Sequence, residues 1–165
     1  MAYCFYEILD NVLTHSTKKM GTVITFFDKR NTRVMILVAD DGIGVRKSLS
    51  ENPRYNNITE EDALRLCLQD AVTDGKGMGY GLFSTTQLIS NAGSLLQIHS
   101  GRSVLSFDGN NIQVSEASPW QGTIVYFELH SDKVIDPKQV LGGKADLESD
   151  YDQLFEIDDN MDELW

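Results

Sequence analysis

Cysteine is scarce in this chain. Its 165 residues hold two, Cys4 and Cys67, with no short metal-ligating spacing and apolar neighbours around each. That pattern offers no disulfide framework and reads as reduced, packed thiols of a cytosolic protein. Basic residues are also few: 14 Lys and Arg stand against 25 Asp and Glu, a formal net charge of -11. A general nucleic-acid binder or a binder of anionic membranes needs cations to meet phosphates, so both classes are disfavoured. No apolar run approaches the roughly 18 residues of a membrane span, and no charged stretch followed by an apolar one opens the chain. The expectation is a soluble, cytoplasmic protein. Hydrophobic content of 41% over this length suits one core, with residues 1–131 as the domain and 132–165 as an acidic C-terminal extension.

What the chain does have is glycine, concentrated in residues 74–93, DGKGMGYGLFSTTQLISNAG. Gly75, Gly77, Gly79 and Gly81 precede Leu82, Leu88 and Ile89 at helical spacing, and Asn91 and Gly93 close the pattern. A glycine loop therefore feeds a helix. Glycine admits positive φ and removes the Cβ that would block a ligand, while the first helical turn leaves unpaired N–H groups with partial positive charge. Phosphate suits such a place. A surface loop before an ordinary core helix is the competing description of the same residues.

Upstream, Phe5, Ile8, Leu9, Val12 and Leu13 share one face of a helix predicted over residues 3–17. Glu7 and Asn11 are four apart, one turn above each other, and together can hold a water and a hard cation such as Mg2+. Taken alone, the pair equally describes a solvated helix surface. Two strands are predicted over residues 22–27 and 33–39, joined by a polar turn, and the second delivers Asp40, Asp41, Gly42, Ile43 and Gly44 to its end. A carboxylate beside glycines at a strand terminus can hold a ligand, or it can be a plain acidic turn. Residues 45–74 contain breakers at Asn52, Pro53, Asn56 and Asn57 and a helix start at Thr59 with Asp62, and their position between two candidate loops suits a lid. Strands are predicted over 94–100, 103–108, 112–115 and 123–129. The acidic extension reads as a solvated tail or a partner-binding segment.

The order of these segments resembles the GHKL superfamily, the ATP-binding fold shared by histidine kinases, type II topoisomerase ATPase domains, mismatch-repair ATPases and heat-shock chaperone ATPases. EILDN at residues 7–11 is similar to its N box, DDGIG at 40–44 to its first glycine box, GKGMGYGL at 75–82 to its second, and the Gly122-Thr123 pair to its third. Four motifs in the family order outweigh any one of them. The resemblance implies a two-layer α/β sandwich, a mixed sheet with helices on one face, that binds ATP and Mg2+. It implies that Asn11 holds the Mg2+, that Asp40 accepts the adenine amino group and that Gly42 and Gly44 let backbone approach the base. Gly77, Gly79 and Gly81 would wrap the phosphates, with Met78, Tyr80 and Leu82 in the same cofactor-binding stretch, and Thr123 would support the adenine. Glu7 matches the position of a general base. Lys76 is added here as a cation for the phosphates, a solvent-facing lysine being the alternative.

The chain also departs from the family pattern. Val12 stands where the family usually has Ala, no phenylalanine-rich lid motif lies between Gly44 and Gly75, and none of His15, His99 and His130 has the setting of a phosphoacceptor. The family normally has more structure before the N box, so the chain reads as part of a longer protein. Three functions compete: an ATP-hydrolysing switch whose lid controls a protein partner, a kinase of the histidine or anti-sigma serine type, and a nucleotide-binding regulator without turnover. A homodimer is compatible with all three.

Overall fold

Strands β1 (Thr22–Asp28) and β2 (Arg33–Ala39) pair antiparallel, from Thr22 opposite Ala39 to Asp28 opposite Arg33. Asp28 shapes their turn, its Oδ1 accepting the N–H of Arg30 at 2.9 Å and of Asn31 at 3.3 Å. A short acidic side chain that mimics a backbone acceptor is the usual means of closing such a turn. This computed structural model describes residues 2–18, 20–75 and 81–133.

Two long strands, β3 (Leu95–Phe107) and β4 (Ile112–His130), complete a four-stranded sheet in the order β1-β2-β4-β3. The expected two-layer α/β sandwich is present. Its sheet is antiparallel at every pairing among the described residues, where a mixed sheet was expected. Four predicted short strands also merge into β3 and β4. Gly101, at φ +64, falls between the strands predicted over 94–100 and 103–108, but it sits in a bulge where the β3–β4 register shifts. A bulge absorbs the extra residues and keeps the strand running. It also flips the pleat: the core-facing residues of β3 are Leu96, Ile98 and Ser100 before the bulge and Leu105 and Phe107 after it.

Helix α1 (Ala2–His15) and helix α4 (Gly81–Ala92) pack against each other, and Ile8, Leu88 and Ile89 join Val38, Leu96, Phe127 and Leu129 in one core. Gly93, at φ +59, ends α4, and the Ser94 N–H returns to the Ile89 carbonyl at 3.2 Å, a left-handed C-cap. Residues 45–66 form more regular structure than their breakers suggested. Helix α2 (Val45–Leu49), a 3-10 turn (Pro53–Tyr55) and helix α3 (Glu60–Leu66) enclose a second small core of Leu49, Tyr55 and Ala63. Thr59 caps α3 as expected, its hydroxyl accepting the Asp62 N–H while Asp62 accepts the Thr59 N–H. Cys67 is packed as foreseen: burial pushes its thiol up to about 12, and Sγ donates to the Leu64 carbonyl. The acidic extension past Lys133 lies outside the described residues.

Candidate functional site

β2 runs directly into Asp40, whose carboxylate is held by backbone groups. The Asp40 N–H donates to the Thr123 carbonyl of β4 at 2.9 Å, and its Oδ1 accepts the Gly42 N–H at 2.7 Å. The residue is 6% exposed. Burial raises its pKa, and hydrogen bonds from the backbone at Gly42 and Thr123 oppose that rise. A carboxylate held this way sits in a recess from which water is largely excluded.

The surrounding glycines serve close protein packing. A side chain at Gly42 would run into Ser16, whose carbonyl accepts the Ile43 N–H at 3.2 Å. The segment leaving α1 is thereby stitched to the loop after Asp40. Gly44, at φ +75, admits no side chain because the Ser100 hydroxyl lies against it. That hydroxyl accepts the Val45 N–H at 3.0 Å and donates to the Gly122 carbonyl at 2.8 Å. Gly122 in turn faces Asp40 so closely that any Cβ would overlap it. Asp40, Gly42, Gly44 and Thr123, named from sequence, are thus gathered around one loop.

Four residues of this frame had no sequence signal of their own: Ser16, Ser100, Trp120 and Gln121. The Trp120 Nε1 donates to the Asp40 carbonyl at 2.9 Å, and the Gln121 Nε2 donates to the Asp41 carbonyl at 2.9 Å. The hairpin bulge that aims these two side chains at the loop follows from pairing, which a linear motif does not encode. A further pair was also missed. The Ser48 hydroxyl donates to Asp74 Oδ2 at 2.9 Å, both residues buried, and the Asn52 amide donates to the Thr73 carbonyl at 3.1 Å. These bonds fasten residues 73–74 onto α2 and the start of the 3-10 turn.

Glu7 and Asn11 stand one turn apart on α1, both half-buried. As two hard oxygen donors they fit Mg2+, which takes few protein ligands and retains waters. Among the described residues no group of three or more His, Cys, Asp or Glu is arranged for a metal. Lys76, Gly77, Met78, Gly79 and Tyr80 lie outside the described residues. Gly81 opens α4, and the Leu82 side chain packs against the main core. His99 Nε2 donates to the Ser118 carbonyl at 2.8 Å, a structural role.

Residues 1–133 match the family described as histidine kinase-, DNA gyrase B-, and HSP90-like ATPase. The chain belongs to that family. In this ATPase family, the solved structures it is similar to include the 43K ATPase domain of Thermus thermophilus gyrase B in complex with an aminocoumarin, at 16% identity and a TM-score of 0.43. That match covers 84% of this chain and 37% of the other. The ATPase region of Saccharomyces cerevisiae topoisomerase II is similar at 13% identity and a TM-score of 0.45, covering 84% and 41% respectively. The chain therefore spans less than half the length of these structures. A comparison with curated proteins finds no match. Among the described residues, no helix is long and apolar enough to cross a membrane.

Proposed function

We propose that this ATPase-family chain binds ATP with Mg2+ and turns it over, by hydrolysis or by phosphoryl transfer, and that nucleotide binding is coupled to the segment 45–74 and to a protein partner. The observation that carries this reading is the recessed Asp40 carboxylate, framed by Gly42, Gly44 and Thr123 at the end of β2. Asp40 accepts the exocyclic amino group of adenine, and its low exposure strengthens that bond by excluding water. Asn11 is the residue to hold Mg2+ through its amide oxygen, and the ion would supply positive charge to the phosphates. Glu7, one turn earlier, orients a water or a substrate hydroxyl and takes its proton.

Replacing the Asp40 carboxylate by a methyl group removes the partner of the adenine amino group. Asp40→Ala should weaken ATP binding by about 1.5 to 3 kcal/mol, the range for hydrogen bonds to charged groups. Titration calorimetry measures it, and unchanged affinity would take Asp40 out of the site. Glu7→Gln separates binding from catalysis. It should bind Mg-ATP nearly as the parent does and lose about 100-fold to 10,000-fold in phosphate release or transfer. A parent that never turns over ATP, or a Glu7→Gln chain that matches it, would remove the base and leave a regulator.

A further inference from the structure

Next to the loop that carries Asp40, a cavity of about 730 Å3 opens between the start of α2, the first turn of α3 and the bulged part of the β3–β4 hairpin. Glu7, Asn11, Asp40 and Thr123 do not line it, and the Gly44 backbone forms part of its wall. The charge on its walls runs against that of the molecule. Arg46, Lys47 and Arg102 face it, with Glu60 as the carboxylate among them. Glu60 is already committed, accepting the Arg102 backbone N–H at 2.8 Å beneath Gly101. Arg46 spends its Nε on the Ile58 carbonyl at 3.0 Å. Its other guanidinium donors, and the side chains of Lys47 and Arg102, pair with no carboxylate among the described residues. Elsewhere Arg33 meets Glu128 and Arg65 meets Glu61. In a chain with 25 acids and 14 bases, three cations left together around one hollow suit a negative charge brought from outside.

The wall also carries one aromatic side chain. Trp120 lines the cavity, and its indole is fixed in place by the Nε1 hydrogen bond to the Asp40 carbonyl while 37% of the residue stays exposed. A fixed indole is a stacking surface for a flat ring. The volume falls within the roughly 300 to 1,000 Å3 of small-molecule sites.

We propose that this cavity is a second ligand site, separate from the one at Asp40, that takes a nucleotide with its base against Trp120 and its phosphates on Arg46, Lys47 and Arg102. It does not depend on ATP binding at Asp40. GTP is a suitable probe, because guanine presents a carbonyl oxygen where adenine presents its amino group, and a carboxylate at Asp40 repels it. With Trp165→Phe, Trp120 is the remaining tryptophan and its emission reports on the cavity. GTP should quench that emission saturably. Lys47→Ala and Arg102→Ala remove side chains that make no hydrogen bond within the described fold, and each should weaken binding about tenfold. Asp40→Ala should leave GTP binding unchanged, since Trp120 bonds to the backbone there. ATP calorimetry on Asp40→Ala reports on the adenine site by itself. No saturable quenching at millimolar GTP, quenching indifferent to Lys47→Ala and Arg102→Ala, quenching lost with Asp40→Ala, or tighter binding of an oligoglutamate peptide than of GTP would each overturn the proposal.

Discussion

Asp40 is held against its own charge. Burial raises its pKa above the ordinary 3.8, with the backbone bonds at Gly42 and Thr123 only partly offsetting it. An acid whose folded pKa exceeds its unfolded one binds its proton more tightly when folded. Its contribution to stability is therefore fully present below the unfolded value and is lost as pH rises through the folded value. At neutral pH the buried carboxylate is therefore a cost to the fold. Asp40→Asn keeps an oxygen to accept the Gly42 N–H and removes the buried charge. Its denaturant midpoint at pH 7 should exceed the parent's, and the gap should close toward pH 3.5. A constant gap across that range would mean that the charge does not titrate in the folded chain as described.

At the scale of elements, the segment between the two glycine loops divides into a fixed part and a connecting part. α2 and α3 are tied together through Leu49, Tyr55 and Ala63, and Glu60 anchors α3 to β3 at Arg102. The chain from Cys67 to Gly75 is held differently, by the Ser48–Asp74 and Asn52–Thr73 bonds to α2 and its neighbour. If the segment closes over nucleotide, most of the change belongs to residues 67–75. Hydrogen exchange there should slow on adding Mg2+ and a non-hydrolysable ATP analogue, while α3 changes little. Ser48→Ala leaves Asp74 without this donor and should speed exchange in 67–75 before nucleotide is added. Equal exchange in both chains, with and without nucleotide, would make the whole segment a static connection. The capping box of α3 was legible in sequence because Thr59 and Asp62 are three residues apart. The Ser48–Asp74 bond spans 26 residues and was not.

At the scale of the whole molecule, the helices among the described residues stop short of the β1 edge of the sheet. Val23 and Phe27 face the same side as the core residues Val38 and Val34 opposite them, yet are 45% and 54% exposed, and Ile24 and Phe26 are exposed on the other face. Among the described residues β1 is thus an edge strand with apolar side chains on both faces, a template for unwanted pairing. Phe26→Lys should raise the concentration at which light scattering appears, with unfolding free energy within about 0.5 kcal/mol of the parent, since an exposed side chain is replaced. Unchanged scattering would mean that β1 does not limit solubility.

The sequence by itself determined the family, the helix that carries Glu7 and Asn11, the strand that leads to Asp40, and the turn at Asp28. Each is a local pattern of periodicity, capping or short motif, set by contacts within a few residues. Only the tertiary structure decided that Gly101 bends a continuous strand, that Gly42 makes room for Ser16, and that Ser100, Trp120 and Gln121 brace the loop from another part of the chain. Strand pairing brings residues 80 apart into hydrogen-bond distance, and no spacing along the chain records which side chain a bulge will turn toward which carbonyl.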